Sequence, residues 1–242
     1  TTAMRLQEYL QNLGVHVCLL SMDNFFLPLD QRPPEATDWE SPYCVNVEQL
    51  VSCISQLADG KEVDIPWYDF KEGKTGGYRK MQGDENGIII AEGIHMLNPL
   101  IFEKIRGIAN GIYVAPRTRI ITYDDKIVRP EQLRVARRLI RDYNFRGCSP
   151  ADTLAMWKNV VDGEDLYIRP FRTGADFWID SLPLYGPLAY HGAFLELMWE
   201  IDEQNPYYGL AEQLKAAMDC FPQMDLTLIP KDSMLREFII LP

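Results

Sequence analysis

Two short apolar runs that each lead into an acid limit what this chain can fold into more than any other feature. Residues 15–20 (VHVCLL) run into SMDNFF at 21–26, and residues 87–91 (GIIIA) stop at Glu92. Runs of this length, bounded by turn formers, read as buried strands. Helical spacing of apolar residues predicts helices over 1–13, 47–57, 131–146, 151–161 and most of 185–219. Strands alternating with helices imply an α/β fold, a parallel sheet flanked by helices. In such a sheet the carboxyl ends of the strands face one ligand crevice. Asp23 and Glu92 are therefore expected to meet there.

The remaining segments follow from punctuation and pattern. Pro28, Pro33, Pro34 and Pro42 mark 28–42 as a loop, and residues 63–66 and 111–115 read as extended. Residues 71–87, charged and holding Gly73, Gly76, Gly77 and Gly83, predict a mobile surface excursion. DLTLI at 225–229 predicts a last strand.

Charge narrows the function classes. A net charge of −11 argues against general nucleic-acid binding, which needs a basic surface. Within that anionic chain, arginines 129, 134, 137, 138, 141 and 146 share one segment with only Glu131 and Asp142. Such a concentration predicts a small anionic ligand rather than a merely solvated helix face. No apolar run reaches the roughly 20 residues of a bilayer span. The five cysteines are scattered, without metal-ligand spacing. They read as reduced thiols, which predicts a cytoplasmic protein; with the charge pattern and the lack of a bilayer span, the expected partner is a small-molecule substrate, with no nucleic acid and no membrane. Self-association into a homo-oligomer is left open.

Asp23 could cap a turn or take a proton, and Glu92 could end a strand or hold a cation. Mg²⁺ in phosphoryl-transfer sites uses one or two carboxylates with phosphates and water. Arg134, Arg138 and Arg141 follow i, i+4, i+7 spacing, so a helix puts them on one face, suited to phosphate oxygens. Together these features describe a kinase. His16, His95 and His191 are isolated and carry no assigned role.

The stretches SMDNFF (21–26), PWYDF (66–70), IIIAEGI (88–94) and LRVARRLIRDYNFRG (133–147) give the chain a specific resemblance. With 153–181 and SMLREFI (233–239), they resemble the uridine kinase / phosphoribulokinase family of P-loop kinases, most closely its bacterial nucleoside-kinase-like branch. The resemblance implies one P-loop kinase domain over 1–242, with a lid at 129–150, using ATP and Mg²⁺. It implies that Asp23 is the base for the acceptor hydroxyl and that Glu92 acts on Mg²⁺. Arg138, Arg141 and Arg146 would be lid arginines on the ATP phosphates. Glu40 of DWESP would hold ribose hydroxyls, and Tyr68 and Arg79 would shape the acceptor pocket. Thr1 and Thr2 resemble the end of a G-x-x-x-x-G-K-[ST] loop, with Thr1 as the Mg²⁺-binding hydroxyl and both residues at the nucleotide. The glycines, lysine and strand of such a loop would then lie immediately upstream of Thr1.

The chain departs from the uridine kinase pattern at several positions. Phe26 stands where a tyrosine is usual, and Cys148 where an arginine follows the lid Arg-Gly. YDFKEGKTGGYR lacks the histidine that contacts uracil, and Ser41 and Tyr43 flank Pro42 in place of His and Asp. The expected acceptor is first a nucleoside 5′-hydroxyl, with a sugar or sugar phosphate as the alternative. Phe26 and Cys148 also fit a third reading, a nucleotide-binding regulatory module that has lost turnover.

Overall fold

The computed structural model describes residues 2–36 and 38–241. Its contacts divide the chain into two units, Thr1–Tyr113 with Val161–Trp178, and Val114–Val160 with Ile179–Pro242.

In the first unit α1 (Thr2–Asn12) ends before Gly14, whose φ of +80° turns the chain into β1 (Val17–Ser21). A 3-10 turn, Met22–Phe25, follows directly, and two more (Leu29–Gln31, Pro42–Cys44) break up the proline-rich loop. The helix α2 (Val47–Ala58) starts where Asn46 accepts a hydrogen bond from the Gln49 amide at 3.1 Å, an N-cap. Then come β2 (Glu62–Asp69), β3 (Lys74–Gln82), β4 (Ile88–Glu92) and α3 (Pro99–Ile105). The strands β1 and β4 are parallel, with Val17 opposite Ile88 and Ser21 opposite Glu92. Leu20, Met22, Phe25, Leu50, Leu57, Ile65 and Ile101 fill the core between this pair, α2, α3 and β2. Each such side chain contributes about 1.5–3 kcal/mol by leaving water.

Two expectations change here. Residues 71–87 are not a loose excursion, because β3 pairs antiparallel with the whole of β2. Glycine is needed rather than merely tolerated in that strand: a Cβ on Gly76 would lie 2.2 Å from the Trp67 ring. The second change concerns β4, which is less enclosed than its apolar run predicts. Ile88 is 40% exposed, and among the described residues β1 is the only strand paired with β4.

The chain leaves the first unit within β5 (Ile112–Ala115). A short hairpin, β6 (Ile120–Ile121) and β7 (Ile127–Val128), comes before α4 (Pro130–Arg146), so the arginine helix does not directly follow the 111–115 strand. Next come α5 (Pro150–Tyr167), longer than its pattern predicts, and β8 (Phe177–Asp180), which pairs with β5. Both span the division between units. The chain ends with α6 (Gly186–Met198), α7 (Tyr208–Met218) and 3-10 turns at Leu226–Leu228 and Met234–Glu237. The strand expected at 225–229 is the first of these turns. Asp225 accepts the Thr227 amide at 2.9 Å, a side-chain turn that outcompetes extension.

Leu133, Ala136, Leu139 and Ile140 of α4 pack with Tyr190, Phe194, Met198, Leu214, Met218 and Leu235. The apolar face of the arginine helix is therefore part of the second unit's core.

Candidate active site

The site begins at the carboxyl ends of β1 and β4. Register places Ser21 beside Glu92, and the chain then tightens into the turn that carries Asp23. Gly93 lets the two strand ends close up: its φ is +156°, and a Cβ there would sit 2.5 Å from that of Met22. Asp23 and Glu92 consequently feel each other's charge. Loss of hydration and, second, the charge of Glu92 push the Asp23 carboxyl above its ordinary value. The Asp23 side chain remains open to solvent, so its desolvation is partial. Among the described residues neither carboxylate has a hydrogen bond or an ion pair. Two adjacent carboxylates with no cationic neighbour are a donor set that Mg²⁺ fits when phosphates and water complete its shell. No group of three or more His, Cys, Asp or Glu side chains with metal-site geometry occurs among the described residues.

Three residues beyond Asp23, Phe26 joins Trp39, Tyr68 and Phe70 in one aromatic wall. Its ring lies 5.7 Å from Trp39, 5.7 Å from Tyr68 and 5.6 Å from Phe70. Arg32 covers this wall, with its guanidinium carbon 3.8 Å from the Trp39 ring centroid. It also donates to the Tyr68 hydroxyl at 3.4 Å and to the Leu27 carbonyl at 3.3 Å. It has no carboxylate partner among the described residues. Glu40 follows Trp39 directly and lies over Gly163 of α5, where a Cβ would be only 2.6 Å from that of Glu40. His95 is buried close by and stands edge-on to Tyr167, 6.2 Å between centroids.

The residues expected to serve the acceptor thus separate. Tyr68 and Glu40 belong with the aromatic wall, Glu40 through its neighbour Trp39. Arg79 does not: it sits opposite Ile65, towards the open end of the β2–β3 hairpin, and lines a groove with Gln7, His16 and Gln82. Thr2 is the first residue of α1, and Thr1 lies outside the described residues.

In the second unit the arginines of α4 have a local counter-ion that their spacing did not announce. Asp142 is 1% exposed. Arg141 approaches its Oδ1 with Nε at 2.9 Å and Nη2 at 2.8 Å. Arg146 Nη1 lies 3.4 Å from the same oxygen, and Arg138 Nε 3.2 Å from Oδ2. Arg134 and Arg137 turn elsewhere, over the rings of Trp157 and Phe238. The shared face expected for 134, 138 and 141 therefore resolves into a 138/141/146 cluster with Arg134 apart.

Sequence reasoning passed over Asp142 and Arg32. The signal for Asp142 was an acid four residues after Arg138 and four before Arg146. Arg32 had none, because its aromatic partners come from three separate stretches.

The family model described as "Phosphoribulokinase / Uridine kinase family" matches residues 1–185. A uridine kinase of Brevibacillus brevis is 28% identical over 180 residues, 73% of this chain and 76% of that protein. One from Staphylococcus aureus is 27% identical over 179 residues, 71% of this chain and 78% of that protein. Among solved structures, a possible uridine kinase from Bacillus stearothermophilus aligns with a TM-score of 0.47 at 16% identity, covering 74% of this chain and 79% of the other.

Proposed function

Because the chain belongs to the phosphoribulokinase / uridine kinase family, a family of kinases acting on hydroxyls of small substrates, we propose that it transfers the γ-phosphoryl group of ATP to such a hydroxyl, first of all a nucleoside 5′-hydroxyl. The observation that carries this reading is the Asp23–Glu92 pair at adjoining strand ends, in which Asp23 holds its proton more tightly than an ordinary aspartate. A carboxylate of raised basicity suits proton removal from an attacking alcohol. Asp23 would orient that hydroxyl and accept its proton as the new O–P bond forms. Glu92, with Thr1, would hold Mg²⁺, which when bound draws charge from the phosphates. Arg138, Arg141 and Arg146 would neutralise charge on the ATP phosphates by charge-assisted hydrogen bonds. Tyr68 and Glu40 would line the acceptor side, and Thr2 would lie at the nucleotide; Arg79, in its separate groove, has no part in this arrangement. The protein is read as cytoplasmic; no described helix is long and apolar enough to cross a membrane.

ADP release measured over a panel of nucleosides, sugars and sugar phosphates tests the reading. Turnover with at least one of them, lowered about 10²–10⁴-fold in Asp23→Asn, is expected. An absence of ADP release with the whole panel would leave only the regulatory-module reading.

Arg32 favours the second reading, an acceptor of the sugar-phosphate kind. A guanidinium has five N–H donors, and only two of those of Arg32 have protein acceptors among the described residues. Held over Trp39 at 3.8 Å, it keeps donors for an anionic group on the acceptor. If the acceptor is acidic, Arg32→Gln should raise its KM at least about tenfold, the value of one charge-assisted hydrogen bond, and leave the KM for ATP unchanged. Equal KM values in the two proteins would return the acceptor to the neutral nucleosides.

A further inference from the structure

The three arginines proposed to meet the ATP phosphates all converge on one acid of their own helix. A carboxylate as deeply buried as Asp142 is costly unless paired, and here three guanidiniums supply the pairing. The same residue fixes the end of the helix. Its backbone carbonyl accepts the amides of Gly147, which has φ +66°, and of Cys148, the latter at 3.1 Å. Side chain and main chain of one residue thus tie down the guanidiniums and the turn that follows Arg146.

We propose that Asp142 is the positioning residue of this arginine cluster, a resident carboxylate that holds Arg138, Arg141 and Arg146 in the arrangement that receives a polyphosphate. The proposal rests on the kinase reading of those arginines and adds a residue to it. Arg146, 55% exposed and with Asp142 as its one side-chain partner among the described residues, still offers donors and positive charge to an anion. Without the carboxylate, three guanidiniums on two turns of helix would repel one another and spread over many rotamers. The alternative is that Asp142 competes with the ligand and must be displaced from the arginines. Burial argues against displacement. The side chains of Arg138 and Arg141 are only 23% and 26% exposed, against 55% for Arg146. The first two are enclosed together with Asp142, and binding has to use them where that carboxylate holds them.

The two roles predict opposite signs. Titration calorimetry of inorganic tripolyphosphate into the full chain, without acceptor, reads them directly. Positioning predicts that Asp142→Asn weakens tripolyphosphate binding about tenfold or more, while Asp142→Glu, which keeps the charge, recovers most of the affinity. In turnover assays Asp142→Asn should raise the KM for ATP and leave that for the acceptor unchanged. Unchanged or tighter tripolyphosphate binding in Asp142→Asn overturns the proposal, tighter binding pointing to the competitor role. Arg138→Ala and Arg141→Ala separate the two levels of inference. If they weaken binding and Asp142→Asn does not, positioning alone fails; if neither weakens it, the clamp reading fails as well. Should Asp142→Asn not fold by circular dichroism, Arg138→Gln/Asp142→Asn, which conserves the net charge of the cluster, is compared with Arg138→Gln. Equal affinities in that pair overturn the proposal too.

Discussion

Asp23 and Glu92 stand at adjoining strand ends with no basic residue paired to either among the described residues, an arrangement that costs stability. The sign of the effect follows from the direction of the shift. A carboxyl raised above its unfolded value favours folding in full only below the unfolded value, and that contribution disappears as pH rises through the folded one. At neutral pH the ionised Asp23 therefore destabilises the fold. Asp23→Asn should raise the melting temperature at pH 7, and the gain should vanish as the pH falls below about 4, where the wild-type carboxyl is itself protonated. The same substitution should lower turnover by about 10²–10⁴-fold, as expected for loss of a general base, with ATP binding retained. A variant with lower stability and normal turnover would remove Asp23 from the mechanism. This pair was legible in the sequence, because the register of parallel strands brings their carboxyl ends together whatever lies between them in sequence. The wall of Phe26, Trp39, Tyr68 and Phe70 with Arg32 was not legible as a unit, since loops obey no such period.

At the scale of elements, α4 shows where local pattern stops. Its extent was read from apolar spacing to within a residue, with Pro130 opening it and Gly147 closing it. Its setting could not be read, because spacing reveals which face is apolar but not what covers it. The chain's last third covers it: α6, α7 and the turn at Met234–Glu237 enclose Leu133, Ala136, Leu139 and Ile140. A helix so enclosed should exchange its amide hydrogens slowly even without nucleotide. The change caused by saturating ATP-Mg²⁺ should be confined to residues 143–149, around the Gly147 turn. Fast exchange throughout α4 in the empty protein would contradict this packing. Leu139→Ala should destabilise the second unit by about 2–5 kcal/mol in urea titration, the usual range for a leucine removed from a full core. The strand 225–229 and the excursion 71–87 failed for the converse reason. In the first, Asp225 offered the backbone a closer partner; in the second, glycines that suggest looseness were there to admit Trp67.

For the molecule as a whole, composition bounded the function by exclusion, and the positive content came from where charge departs from the average. A chain of net charge −11 that gathers arginines on one helix, and leaves one more, Arg32, on an aromatic wall, is organised around anions. Its response to acid has a different origin, His95, to which no role was assigned. Burial lowers the pKa of this imidazole to about 4, and the Glu40 backbone offsets only part of that effect. A histidine neutral in the folded chain and protonated near 6.5 when unfolded supports the native state fully above about pH 6.5. That support is lost progressively as pH falls towards 4, to a limit of about 3 kcal/mol for a shift of this size. The loss falls in the first unit, where His95 packs against Tyr167 and beside the backbone of Glu40. His95→Leu fills a similar volume with nothing to protonate. It should flatten the decline in urea stability between pH 6.5 and 4, as read by hydrogen exchange of β1 and β4. Wild-type and His95→Leu profiles that fall in parallel across this range would place the acid sensitivity elsewhere.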